Sequence, residues 1–527
     1  MKVITINANK LQEVGDIDKE LENQYSEFNK PESNFVTGQL TPEFVLKCLK
    51  DNEDGDARLF VALNRGMLVF DHSLNNWFKW NNNVWQEDSI DESLDAIQRV
   101  IDIYEKEGRD QALLKIKATR CGNSSKAAEH AANEKEILMR IKQLQTIFRK
   151  KNVLGIARIG GSGLGIKGNE WDTDPWVFGV QNGIIDLHTG RFRQGEVGDY
   201  IRTSSPVVWK GLNHPAPIWE TTLLQIFNSD KQMVLFVQRL FGYCLTGLTT
   251  EPVYPILWGK GRNGKGVLIE TFASVLGGYA GPVEAEIVLK QKMTRNSGGP
   301  TSDIMALRGK RLVWSSEIEE GRRLDAAKVK WLTGNDSLTG RPMYGKNQID
   351  FRPTHKLILL TNHKPHSSSD DLALWERIHL IEFPLSFVDN PKAKNERKAD
   401  KNLLEKLKAE RPGILAWLVR GCLGWQKEEL NPPETVLLAT NNYRDEENKI
   451  SQFINEQCVQ SPDEKVTAGD LYRVYGWWAN DKGLPLMSIR KFGLEMQNRF
   501  RSEKGRHTIY FGIRLKGVPL IPKKEDA

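Results

Sequence analysis

The spacing of apolar positions changes several times along this chain, and each change marks an element. Residues 1–55 are polar and acidic-leaning, with QEVGDIDKELENQYSEFNKPES offering little to bury, and read as a flexible or weakly helical lead-in. Over 57–88, RLFVALNRGMLVFD and NNWFKWNNNVWQED read as short strands of a meander in which Trp77, Trp80 and Trp85 pack together. Helical spacing returns over 89–153 with many charges, the pattern of a solvated helical face. WVFGVQNGIIDLHTGRFRQ (176–194) predicts a hairpin closed at Asn182-Gly183 in a type I′ turn. A Pro-rich link, NHPAPIW, then leads into a helical block over 219–246.

The centre of the chain is the stretch this block delivers. YPILW (254–258) is an apolar run of strand length, VLIETFASVL (267–276) has helical spacing, and GKGRNGKG lies between them. Gly259, Gly264 and Lys265 fit G-x-x-x-x-G-K, with Gly261 and Asn263 inside the loop and Gly266 where a hydroxyl residue is usual. Glycines let such a loop curl its N–H groups onto phosphate oxygens, and the helix N-terminus adds partial positive charge. Lys265 then reaches the β- and γ-phosphates of a nucleoside triphosphate.

Further strands follow in an order that suits hydrolysis. RLVWSSEIEEG (311–321) ends an apolar strand ahead of Glu317, which can bind Mg²⁺ or activate the attacking water. The reading assigns Glu317 water activation; because Ser316 and Gly266 replace both customary metal-binding groups, the magnesium ligand stays open. RPMY and IDF flank GKNQ, a hairpin with Lys346 at its tip, and KLILLTN (356–362) ends in Asn362, whose amide can sense the γ-phosphate. DLALWERIHLIEFP (371–384) carries Arg377 on a helix leading into another strand. The charged segment 391–412 reads as a solvated helical face, GILAWLVRGCLGWQ (413–426) as a closing apolar helix, and 431–449 as a linker.

Beyond the linker, two amphipathic helices (465–481 and 488–500) and an alternating strand (505–515) suggest a winged helix over 450–520. Between Lys482 and Lys516 nine Lys/Arg face two acidic residues, the footprint of nucleic acid. Arg490, Lys491, Arg499 and Arg501 fall on or near the second helix, and Lys504, Arg506 and His507 at the wing.

Composition narrows the class. In 527 residues, 39% hydrophobic and 27% charged with a net charge of +6, no apolar run reaches a membrane span, and the N-terminus has no secretory pattern. Five scattered cysteines without a C-x-x-C pair argue for a reducing compartment and against a zinc ribbon. Asp54 and Asp56 form a D-x-D pair, but no histidine and third carboxylate join it into a metal site.

GKGRNGKG, SSEIEEG, KWLTGND, TNHKP and LWERIHLIEFP, in this order and spacing, resemble the superfamily 3 helicases of the phage and plasmid primase–helicase group, which includes poxvirus relatives. NGIIDLHTG, VQRLFGYCLTG and the W-x-x-W segment are similar to that group's domain upstream of the ATPase, so the likeness runs from about residue 55 to 516. It implies an α/β fold: a mixed α/β domain over 56–212, an AAA+ P-loop ATPase over 213–430 and the C-terminal winged helix. It further implies a homo-oligomeric ring of six subunits that uses ATP and Mg²⁺ and translocates on single-stranded DNA to unwind duplex DNA. Lys265 is then the phosphate-loop lysine, Glu317 the catalytic acid, Asn362 the sensor, Arg377 the arginine finger and Lys346 the channel lysine. The expected setting is replication of a mobile element in a bacterial host cytoplasm, with the origin bound by the C-terminal domain. Too little chain precedes the match for the primase domain of the long relatives, so a separate primase or polymerase is the expected partner. The alternative is an ATP-regulated origin-binding initiator without processive unwinding.

Overall fold

A computed structural model describes residues 40–291, 301–316, 319–341, 343, 348–484 and 486–517. They form a mixed α/β structure in two compact units, divided between Trp171 and Asp172, with residues 82–84 belonging to the second.

In the first unit, α1 (Pro42–Lys50) and α2 (Asn52–Asn64) precede a sheet of β1 (Leu68–Asp71), β2 (Asn76–Trp80) and β3 (Trp85–Glu87). Then come α3 (Gln98–Arg120), α4 (Ser124–Leu144), α5 (Ile147–Ala157) and the short β4 (Gly165–Ile166). Two sequence readings change here. Ordered helix begins at Pro42, inside the expected lead-in, because Thr41 caps its N-terminus and Val45, Cys48 and Leu49 share one buried face. RLFVALN is the end of α2 and not a strand: Asp56, Ala57, Leu59 and Phe60 face inward at helical spacing. The tryptophans divide too, with Trp80 against Trp85 but Trp77 against Phe60 and Phe70. Asp56 is no metal ligand. It is fully buried, pairing with Arg140 at 2.8 Å and Arg149 at 2.6 Å and accepting from the Tyr104 hydroxyl.

The second unit opens with a hairpin of β5 (Val177–Val180), β6 (Gly183–Asp186) and β7 (Arg191–Arg193). Val180 pairs with Gly183, so the two-residue turn is Gln181-Asn182, one position before the predicted one. Neither residue has the positive φ that a type I′ turn needs. The Asn182 amide instead donates to the Trp209 carbonyl and accepts its N–H. Phe178, Ile185 and Leu187 join the apolar core of this second unit, so the hairpin lies with the following domain.

Helices α6 (Pro217–Ile226) and α7 (Lys231–Tyr243) then lead to β8 (Tyr254–Trp258) and α8 (Lys265–Leu276). The strands β9 (Ala280–Pro282), β10 (Leu312–Ser316), β13 (Lys356–Thr361) and β14 (Ile378–Glu382) complete a wholly parallel sheet in the order β14-β8-β13-β10-β9. Between β10 and β13, β11 (Leu338–Gly340) pairs with β12 (Ile349–Phe351), and the expected hairpin tip with Lys346 lies outside the described residues. Leu257, Leu312, Trp314, Ile358, Leu360 and Ile381 point to one side of the five-stranded sheet with α7 and α8. Ile256, Val313, Leu357, Leu359 and Leu380 point to the other. Burial on both faces is why these strands read as unbroken apolar runs.

The short helix α9 (Leu372–Trp375) leads into β14, and after β14 come the pair β15 (Ser386–Val388) and β16 (Glu396–Lys398), and α10 (Leu403–Ala409). Helix α11 (Arg411–Glu428) packs on α7 in the core. The expected linker is α12 (Glu434–Glu446), whose Val436, Ala439, Thr440 and Tyr443 are buried, with Thr440 Oγ1 accepting from Leu380 of β14 at 2.9 Å. A last module has its own core and runs α13 (Lys449–Gln457), β17 (Cys458–Thr467), α14 (Ala468–Asp481), α15 (Ile489–Gln497), β18 (Ser502–Lys504) and β19 (Thr508–Leu515). Its strands form an antiparallel sheet in the order β17-β19-β18. None of the described helices is long and apolar enough to cross a membrane.

Candidate active site

Strand register builds the site. Thr361 pairs with Trp258 and Leu360 with Ser316, so Asn362 emerges between the loop after β8 and the end of β10. The loop itself is shaped by glycine. Gly264, at φ 90° ahead of α8, sits against Ile226, and a side chain on Gly259 would strike Asn263 and the Phe383 carbonyl. From outside, the Phe387 N–H donates to the Arg262 carbonyl at 2.6 Å.

Lys265, in the first turn of α8, turns back into this loop. Its Nζ donates to the Gly259 carbonyl at 2.7 Å, Asn362 Oδ1 at 3.0 Å and Asn263 Oδ1 at 3.1 Å. The ammonium thus has three neutral oxygens, and burial pulls its pKa down to about 8. Asn263 Nδ2 is buried without a partner. Lys265, Asn263 and Asn362 line a cavity of about 970 Å³ with Gly261, Arg262, Gly264, Gly266, Val267, Ser316 and Thr361. A buried cation lacking a carboxylate, an orphaned donor and a helix N-terminus at one cavity wall fit an anion.

The far wall was missed from the sequence. Ile218, Thr221, Gln225 and Ile226 of α6 face Phe387, Lys398, Asp400, Leu403 and Lys406, so the segment read as a solvated face closes the cavity. Of it only 403–409 and the first two residues of α11 are helical. Asp400 and Lys406 pair at 2.6 Å at this rim. A charged composition hides such a role, and the one available signal was Leu403, an apolar position among lysines.

Glu317 lies outside the described residues, although β10 ends beside the cavity at Ser316. Around the Gly266 Cα there is open space, so its lack of a hydroxyl is not forced by crowding. No cluster of three His, Cys, Asp or Glu able to hold a metal occurs among the described residues. Arg377 does not line this cavity. It lies in a smaller one of about 460 Å³ with Glu251, Glu376, His379 and Glu428, its Nη1 donating to the Ala373 carbonyl at 2.5 Å and its Nε buried without a partner.

In the C-terminal module, Arg490, Lys504 and Arg506 are exposed and form no ion pair among the described residues. Three other expected contacts are already engaged: Arg499 with Glu495 at 2.5 Å, Arg501 with Glu503 at 2.9 Å, and Lys491 with Asp370 at 2.9 Å.

Comparison with known proteins adds kinship. Residues 57–228 match the family described as D5 N terminal like, and 257–377 match a family of unknown function. A helicase candidate of Acanthamoeba polyphaga mimivirus, L207/L206, is 27% identical over 321 residues, 58% of this chain and 33% of its own. The Frog virus 3 helicase candidate 022R is 28% identical over 274 residues, covering 49% and 28%. The primase candidate C962R of African swine fever virus is 22% identical over 331 residues, covering 59% and 34%. The chain therefore spans about a third of the length of the curated relatives it matches. Among solved structures, the apo C-terminal region of NrS-1 aligns over 75% of this chain and 76% of its own at 14% identity and a TM-score of 0.42.

Proposed function

We propose, from the premise that this chain is related to the viral helicase and primase proteins, that it is an ATP-driven DNA helicase of a mobile element. The observation that carries the reading is Lys265 joined to Asn362 across the phosphate loop, facing one large cavity. Strand β13, with Asn362 just past its end, lies between the phosphate-loop strand and the strand ending at Ser316, an order that supports an AAA+ core. The helix–strand–helix–helix–strand–strand order of the last module supports a winged helix.

In this mechanism Lys265 takes the β- and γ-phosphates, exchanging its amide partners for phosphate oxygens, and the N-terminus of α8 adds its dipole. Asn362 orients the γ-phosphate or the attacking water, and Glu317 accepts that water's proton. With Gly266 offering no side chain, Ser316, Glu317 and water would be the groups to hold a magnesium ion, which would supply charge neutralisation at the phosphates. Arg377, remote from its own chain's cavity, serves the neighbouring subunit of a six-membered ring and stabilises transition-state charge there. Lys346 follows single-stranded DNA through the ring, and Arg490, Lys504 and Arg506 engage duplex phosphates, as at an origin.

Strand displacement on a forked duplex with ATP and Mg²⁺ tests the proposal. Wild type should unwind, Lys265→Ala should be inactive, and Lys346→Ala should keep single-strand-stimulated hydrolysis but lose unwinding. Hydrolysis and duplex binding without strand separation would leave the initiator reading in its place.

A further inference from the structure

Lys491 stands beside Arg490 in the first turn of α15, and it reaches out of its module. Its Nζ donates to Oδ2 of Asp370 at 2.9 Å. Arg499 and Arg501 pair within the module, whereas Lys491 makes the one ion pair among the described residues that ties this module to the rest of the second unit. The hydrogen bond from Lys491 holds the Asp370 carboxyl below its ordinary range, and Lys491 is raised in turn, so both stay charged at neutral pH.

Asp370 is well placed to pass on a disturbance, because it lies between Asn362 and Arg377 in the chain. Its neighbour Asp371 caps α9, accepting from the Leu374 N–H at 3.1 Å, and pairs with Lys330 at 2.9 Å. The Trp375 indole donates back to the Ser368 carbonyl at 2.8 Å. Arg377 is held to the same helix through Ala373. The stretch 368–371, helix α9 and the Arg377 guanidinium are thus joined by consecutive hydrogen bonds.

We propose that the Lys491–Asp370 pair is a latch coupling DNA binding to ATP hydrolysis: a duplex phosphate takes Lys491 from Asp370, and the freed stretch re-aims α9 and Arg377. The latch rests on the helicase reading above. A carboxylate offers the same oxygen acceptors as a phosphate, so Asp370 occupies the place of DNA on α15. An exposed ion pair is marginal, whereas a duplex presents a dense row of phosphates, so the exchange favours DNA. The energy of the exchange is small, and the latch accordingly tunes hydrolysis without gating it fully.

The test uses the full chain: ATP hydrolysis with and without a duplex, and duplex affinity by fluorescence anisotropy. The proteins are wild type, Asp370→Asn, Lys491→Ala, and the exchange of Asp370→Lys with Lys491→Asp. The latch predicts that Asp370→Asn raises the DNA-free rate about threefold or more and tightens duplex binding about threefold. Lys491→Ala should raise the DNA-free rate likewise while weakening binding. The exchange should return the DNA-free rate to the wild-type level and abolish stimulation by duplex. An Asp370→Asn protein with the wild-type DNA-free rate overturns the latch, even if it binds DNA more tightly. If wild type hydrolyses ATP but duplex does not stimulate it, the latch falls and the ATPase reading stands. A wild type without ATP hydrolysis fails the parent reading itself.

Discussion

Strand β13 carries a buried lysine at its start and the partner of a second buried lysine just past its end. Lys356 is 3% exposed and Lys265 7%, so burial does not separate them. Burial depresses both, Lys356 to about 7 and Lys265 to about 8. Nor does the count of partners differ: Lys356 Nζ donates to the carbonyls of Thr246, Leu248 and Thr354 at 2.6, 3.2 and 3.4 Å, and Lys265 also has three oxygens. The difference is what the partners can do. Lys356 is held by backbone carbonyls and lies over the Tyr243 ring at 4.5 Å, a sealed arrangement. Two of the three partners of Lys265 are side-chain amides that can rotate away, and the lysine faces an open cavity. In open parallel sheets, ligands gather at the carboxyl ends of strands, and Lys265 is at that end.

The largest effect that would break this contrast comes from alanine at each lysine. Lys265→Ala should lower ATP turnover by about a thousandfold or more with a melting temperature close to wild type. Lys356→Ala should instead cost about 2–5 kcal/mol of stability, because three buried carbonyls lose their donor, with the loss read in urea unfolding. Next in size, Asn362→Ala should lower kcat about 10- to 100-fold with KM for ATP changed little, since Asn362 is assigned to the γ-phosphate end.

Protonation sharpens the comparison further. ATP must meet Lys265 charged, so affinity should fall as pH rises through about 8, approaching tenfold per unit above it. Lys265→Arg, where ATP binding survives, should remove that fall. Lys356 has the opposite readout. Its folded pKa lies below its unfolded one, so the unfolded chain binds more protons between pH 7 and 10 and wild type gains stability across that window. Lys356→Met should flatten this part of the stability profile. The smallest effect belongs to Gly266→Ser, for which there is room: stability should change by less than about 1 kcal/mol, and the Mg²⁺ needed for half-maximal hydrolysis should fall about twofold or more.

How much of this was legible depends on what each element packs against. The phosphate loop was readable because strand, glycine loop and helix are local, and their order alone points to phosphate chemistry. The place of Asn362 beside Lys265 was readable too, since it directly follows the apolar strand β13. The wall formed by Lys398, Asp400 and Lys406 was not: its charges read as solvated, and only the fold brings them over the cavity. The stretch of α12 reads as a linker because its prolines come first, although Val436, Ala439, Thr440 and Tyr443 already have helical spacing. Asn182-Gly183 reads as the turn pair because Asn-Gly so often is, but the turn is Gln181-Asn182, and the bonds of Asn182 to Trp209 depend on chain 27 positions away. The engagement of Lys491 by Asp370 spans 121 positions and leaves no local trace.

The most direct measurement is calorimetric titration of Mg·ATP into wild type and Lys265→Ala, with unfolding curves to show that both are folded. Wild type should bind with micromolar affinity, and the variant should lose about a hundredfold or more at unchanged stability. Equal affinity in the two proteins, or no binding by wild type, would contradict the assignment of this cavity to a nucleotide.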